Sequence, residues 1–142
     1  MTNTDLIAIL PLLLLTGYAC LLLLVDLLIP QDRKAWTAWL ALIGLMVTGL
    51  GMLPWPAGGA LTGFNGMIHA DGFAVFLNLV FLLSGGLTVL LALNYLPRTG
   101  IERGEFYVLL LFTLSGMMLM AQAADLIVVF LALELLSIPL YI

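Results

Sequence analysis

The chain has 142 residues, of which 64% are hydrophobic and only 8% charged, with a formal net charge of −4 and a mean hydropathy of +1.25. A water-soluble domain of this length needs far more polar surface, so the composition excludes one and points to an integral membrane protein. Four basic residues split between two loops make no patch, which sets nucleic-acid binding aside.

About twenty uncharged, mostly apolar residues between Asp5 and Asp26 predict a first transmembrane helix. Pro11 falls in its first turns, where a missing N–H costs least. With no Lys or Arg ahead of it and enough length to span, the run does not read as a cleavable signal peptide. Cys20, the single cysteine, lies inside it without a disulfide partner and leaves no sulfur-based metal site. Asp26 sits four residues before Pro30 and is expected at the membrane boundary, within reach of headgroups or water.

A charged loop from Pro30 to Lys34 leads to a second helix, from about Trp36 to Leu53, with Trp36, Trp39 and Trp55 as interfacial aromatics. The Gly- and Pro-rich stretch from Pro54 to Asp71 reads as a loop that carries His69. A third helix runs from Asp71 or Gly72 to Tyr95 and Leu96, long enough to span with tilt. Gly85 and Gly86 near its centre allow close helix approach or a bend, and Pro97 is expected to stop it.

After a short charged loop, a fourth helix covers Glu105 to about Gln122 and contains Thr113, Ser115 and Gly116. Its methionines, Met117, Met118 and Met120, suit packing better than metal binding. A tight turn at Ala123 and Ala124 opens a fifth helix, incomplete at Ile142. Asp5, Asp71, Glu105 and Asp125 begin helices one, three, four and five, where negative charge caps N–H groups and complements the dipole. The fold predicted is all-α integral membrane with five transmembrane helices. Arg33, Lys34, Arg98 and Arg103 all fall on one side of that topology. The positive-inside rule makes that side cytoplasmic and puts the N-terminus outside.

Glu134 stands out on the fifth helix. It lies nine residues past Asp125, roughly 13 Å at about 1.5 Å per residue, near the middle of a hydrocarbon layer about 30 Å thick. An acid at that depth reads either as a functional group facing protein or water, or as a neutral acid bonded to a neighbouring helix. Pro139 cannot bond the carbonyl of Leu135 and is expected to bend the helix past Glu134. Ser137 and Tyr141 follow at one and two turns on broadly the same face. Together these four residues suggest the start of a hydrated proton path. Thr113 and Ser115 offer further hydroxyls, although such residues also bond their own helix backbone.

The run GEFYVLLLFTLSGMMLMAQAADLIVVFLALELLSIPLYI, Gly104 to Ile142, resembles the start of the antiporter-like core in the subunit N family of proton-pumping NADH:quinone oxidoreductase, respiratory complex I. The stretches LPLLLLTGYACLLLLVDLLIP and HADGFAVFLNLVFLLSGG are similar to the same family, and ADLIVVFLALELLSIPLY is the most specific part. The resemblance implies the N-terminal portion of a subunit of about fourteen helices in a bacterial inner membrane. Residues 1–104 are then three N-terminal helices with their loops, and residues 105–142 the start of the proton-translocation core. Glu134 matches the family's fifth-helix glutamate, which the family pairs with a lysine on a later helix.

The implied role is that of one subunit of an enzyme, taking part in proton translocation coupled to quinone reduction. On this resemblance the chain has no redox centre. NADH, flavin, iron–sulfur clusters and quinone are expected elsewhere in the complex, and other membrane-arm subunits and the bilayer are its partners. A chain of this length reads as a fragment. Multisubunit Na⁺/H⁺ antiporters and membrane-bound hydrogenases share the core, and Glu134 serves equally in those. A third alternative is a structural scaffold in which Glu134 only bonds a partner helix.

Overall fold

Small residues recur at intervals of three and four along helices that are otherwise apolar on every side, and they set which faces pack. In a bilayer, van der Waals fit and not solvent exclusion decides helix contacts, so faces with Ala and Gly come closest. The computed structural model describes residues 3–30, 34–53, 61–100 and 103–141. Five helices occur among these residues: α1 (Asn3–Leu28), α2 (Ala35–Met52), α3 (Gly72–Thr99), α4 (Glu105–Gln122) and α5 (Leu126–Tyr141). The first four are long and apolar enough to cross a membrane, while α5 has 16 residues.

The buried stripe of α1 includes Ala8, Leu12, Leu15, Ala19, Leu22 and Asp26, with Pro11 beside it; that of α3 is Ala74, Asn78, Leu82, Gly85, Val89 and Ala92. Each repeats with the period of one helix face. Helix α4 packs against all four other helices and buries residues on most of its circumference, including Tyr107, Leu111, Ser115 and Met118. It is the central element. Helix α5 touches chiefly α4 and buries only Val128 and Ala132. Apolar side chains such as Leu24, Leu27, Leu83 and Leu91 point outward, as a lipid-facing surface requires.

Three glycines permit the closest contacts. A Cβ on Gly44 would overlap the ring of Tyr18, whose hydroxyl donates to the Leu40 carbonyl at 2.7 Å and ties α1 to α2. A Cβ on Gly85 would overlap Leu114 of α4, so the close approach expected at the glycine pair belongs to Gly85; Gly86 has open space. At Gly116 a Cβ would lie 2.6 Å from the backbone nitrogen of Leu136, which brings α4 and α5 nearly backbone to backbone.

The stretch read as a loop contains a two-stranded antiparallel hairpin. Strands β1 (Leu61–Gly63) and β2 (Ile68–Ala70) pair with Thr62 opposite His69, so His69 is an exposed strand residue and not a loop residue. The connecting turn holds Phe64 and Asn65 at φ near +55°, with Gly66 at +90°. Left-handed conformations of this kind cost about 1–3 kcal/mol for a bulky residue such as Phe.

Asp5 offsets part of that cost by accepting the Phe64 N–H at 2.8 Å, so this acid ties the hairpin to α1. The turn between α4 and α5 joins in: Ala123 bridges Ile68, and the Ala124 N–H donates to the Met67 carbonyl. Asp71 does cap α3 through the Ala74 N–H, and Asp125 accepts from the Ile127 N–H.

Pro97 does not stop α3. The helix continues to Thr99 and ends on Gly100 at φ 71°, whose N–H bonds the carbonyls of Leu96 and Pro97. A proline in the last turn forfeits one bond only, and the left-handed glycine provides the actual stop. Arg33 and Trp55 lie outside the described residues.

Gly116→Leu is expected to lower stability by about 1–3 kcal/mol through overpacking against Leu136, while Gly86→Ala is expected to be neutral or slightly stabilising. Thermal unfolding in detergent checks the contrast.

Candidate functional site

Glu134 lies midway along α5, two residues after Ala132, which is fully buried against the bundle. At about 100° per residue it sits some 200° around the helix from Ala132. Its side chain is accordingly exposed, on the face that the other helices leave open. Ile127, Phe130, Leu131, Ile138 and Tyr141 are exposed along α5 as well. The Glu134 carboxyl makes no hydrogen bond or ion pair among the described residues. An acid is thus set within an apolar surface of α5.

None of the three supporting residues makes a hydrogen bond to it among the described residues. Ser137 donates its hydroxyl to the Leu133 carbonyl at 2.6 Å, so that proton is committed to its own helix. Thr113 and Ser115 on α4 do the same, to Leu109 at 3.0 Å and Leu111 at 2.9 Å. Tyr141 is 86% exposed at the end of α5. Helical structure runs through Pro139 to Tyr141. Pro139 also lines a cavity of about 410 Å³ with Thr113, Arg103 and Glu105 between α5, α4 and the end of α3.

A second charged site lies where α1 ends and α2 and α4 begin. Asp26 is 5% exposed, not free to reach headgroups as its sequence position suggests. Lys34 Nζ donates to its Oδ2 at 2.9 Å and to its backbone carbonyl at 2.9 Å, and Thr37 Oγ1 donates to Oδ1 at 2.6 Å. Lys34 is itself only 8% exposed. The carboxylate lies against Gly104, so closely that a Cβ there would overlap it. Gly104 precedes α4, so the anion rests at the positive end of that helix dipole.

Arg103 and Glu105 share a small cavity of about 250 Å³ with Asp26 and Lys34. The sequence does carry a signal for this site: Asp26 follows Leu22 by four residues, in phase with the stripe begun by Ala8.

Asp26→Asn strands Lys34 in a buried position, and breaking such a pair from one side costs about 3–5 kcal/mol. The double variant Asp26→Asn/Lys34→Met, which keeps an acceptor for Thr37 and removes the cation, is expected to recover most of that loss. Thermal unfolding of the three proteins in detergent reads the difference.

No family model matches the chain. Curated relatives named NADH-quinone oxidoreductase subunit N do. The protein of Chloroflexus aggregans is 51% identical over 97% of this chain, and subunit N 2 of Roseiflexus castenholzii is 48% identical over 89%. That of Trichlorobacter lovleyi is 42% identical over 94%. The chain spans 28%, 25% and 27% of the length of these three relatives. Identity of this extent over most of the chain reflects common ancestry and not shared hydrophobicity alone. Over nearly all of its own length, this chain is a homologue of NADH-quinone oxidoreductase subunit N.

Proposed function

We propose that the chain is part of a membrane-arm subunit that takes part in proton translocation coupled to quinone reduction by NADH:quinone oxidoreductase. The carrying observation is the position of Glu134, halfway along an apolar helix, in a chain 51% identical to a subunit N over 97% of its length. The names of the relatives favour neither the antiporter or hydrogenase reading nor a purely structural scaffold.

An ionisable group on a lipid-facing surface is disfavoured by several kcal/mol or more at the bilayer centre. The open face of α5 is therefore read as one that further protein covers, with Glu134 at that contact. There its carboxyl is read as changing its protonation or pairing state during turnover. Changes elsewhere in the complex drive the alternation. The cavity beside Pro139, opening among Arg103, Glu105 and Thr113, gives water a place to approach the helix. Ser137 has a structural part in this scheme, because its hydroxyl is held by Leu133.

Orientation follows from charge. Lys34 and Arg103 line one cavity at one end of the bundle, and Arg98 lies in the last turn of α3 at the same end. By the positive-inside rule this end is cytoplasmic, and the hairpin and the start of α1 lie at the outer face of a bacterial inner membrane. Helix α5 would then be the fifth crossing. Flavin and iron–sulfur clusters are assigned to other subunits.

In the complete, assembled complex, Glu134→Gln is expected to lower coupled proton pumping about tenfold or more. Ser137→Ala is expected to leave it within about twofold. Proton uptake measured in reconstituted vesicles tests both, and full pumping by the Glu134→Gln complex would refute the assignment.

A further inference from the structure

The interface of α3 with α4 contains three polar atoms that the proton-transfer reading does not use. Asn78 of α3 is fully buried, and neither Nδ2 nor Oδ1 has a hydrogen-bond partner. Gln122 of α4 is 3% exposed, and its Oε1 is likewise unpartnered. Packing register places the two near each other. Gly85 of α3 meets Leu114 of α4, and the helices run antiparallel from there. Asn78 lies seven residues back from Gly85, about 10 Å, and Gln122 eight residues on from Leu114, about 12 Å. Both are therefore at one level, beneath β2, which packs on α3 and α4. Asn78 is in phase with Ala74, Leu82 and Gly85 on the buried stripe.

Inside a membrane helix bundle, bulk water does not satisfy such groups, and each left unmet is costly. The two amides are not bonded directly to each other, because Asn78 Nδ2, Asn78 Oδ1 and Gln122 Oε1 all lack a hydrogen-bond partner. One water molecule meets all three: its two O–H bonds donate to Asn78 Oδ1 and Gln122 Oε1, and its oxygen accepts from Asn78 Nδ2. Three bonds is the usual complement of a buried water. We infer that Asn78 and Gln122 form an internal water-binding site that bridges α3 and α4. The water acts as a polar latch between the two helices, on a different side of α4 from α5 and independent of Glu134.

The test is a structure of the assembled complex, containing the full-length subunit, at a resolution where ordered waters are visible. The expected result is a single solvent peak within about 2.7–3.2 Å of the three atoms. Asn78→Leu should abolish the peak. Gln122→Met, a milder change at the end of α4, should remove or weaken it if the leucine variant does not assemble. Amides bonded directly to each other, a different protein group in that position, or a peak unchanged in either variant would overturn the inference.

Discussion

The carboxylate of Asp26 accepts from Lys34 and Thr37 and rests against Gly104, so the end of α1 and the starts of α2 and α4 meet at one buried anion. Burial takes such a charge out of water, and the cation and hydroxyl that bond it offset that cost. The joint fixes where α4 begins and which way it faces. Helix α4 in turn positions α5, because Gly116 brings the two backbones together at Leu136. Glu134 is two residues from that contact, and its height in the bundle follows from it. At the opposite end, the hairpin held by Asp5 closes the α4–α5 turn through Ala123 and Ala124.

Helix positions were legible because long uncharged runs leave little choice: α4 begins and ends where its sequence pattern does, and α1, α2 and α5 agree within a few residues. Faces were less legible, since helices that are apolar all round have no polar side to mark the exterior. Small residues hold that information instead. Ala8 and Ala19 mark the inner face of α1, and Asp26 is in phase with them; Ala74, Gly85 and Ala92 do the same for Asn78 on α3. By the same rule Ala132 marks the inside of α5 and turns Glu134 outward. Depth located Glu134 along the helix and carried the expectation that it faces protein or water; among the described residues it lies on the open face of α5.

Other features had weaker signals. Strands of three residues are too short for alternation to show, and nothing about Phe64 foretells a left-handed backbone. Pro97 appeared to be a terminator because proline usually is one, but Gly100 three residues later had the stronger claim. For Thr113 and Ser115 the sequence left both a water chain and a bond to their own helix open, and they, like Ser137, bond the carbonyl four residues back.

On the proposed reading, the outward turn of Glu134 is what makes it useful: a group facing the bundle of α1–α4 would be locked in place, whereas one on the open face of α5 meets whatever protein covers it. The central claim is that this carboxyl changes protonation during turnover. Infrared difference spectra of the reconstituted complex, taken between resting and turning-over states, address it directly. The account predicts a carboxyl band that appears in the unmodified complex and is missing from Glu134→Gln. Identical difference spectra from the two would contradict it.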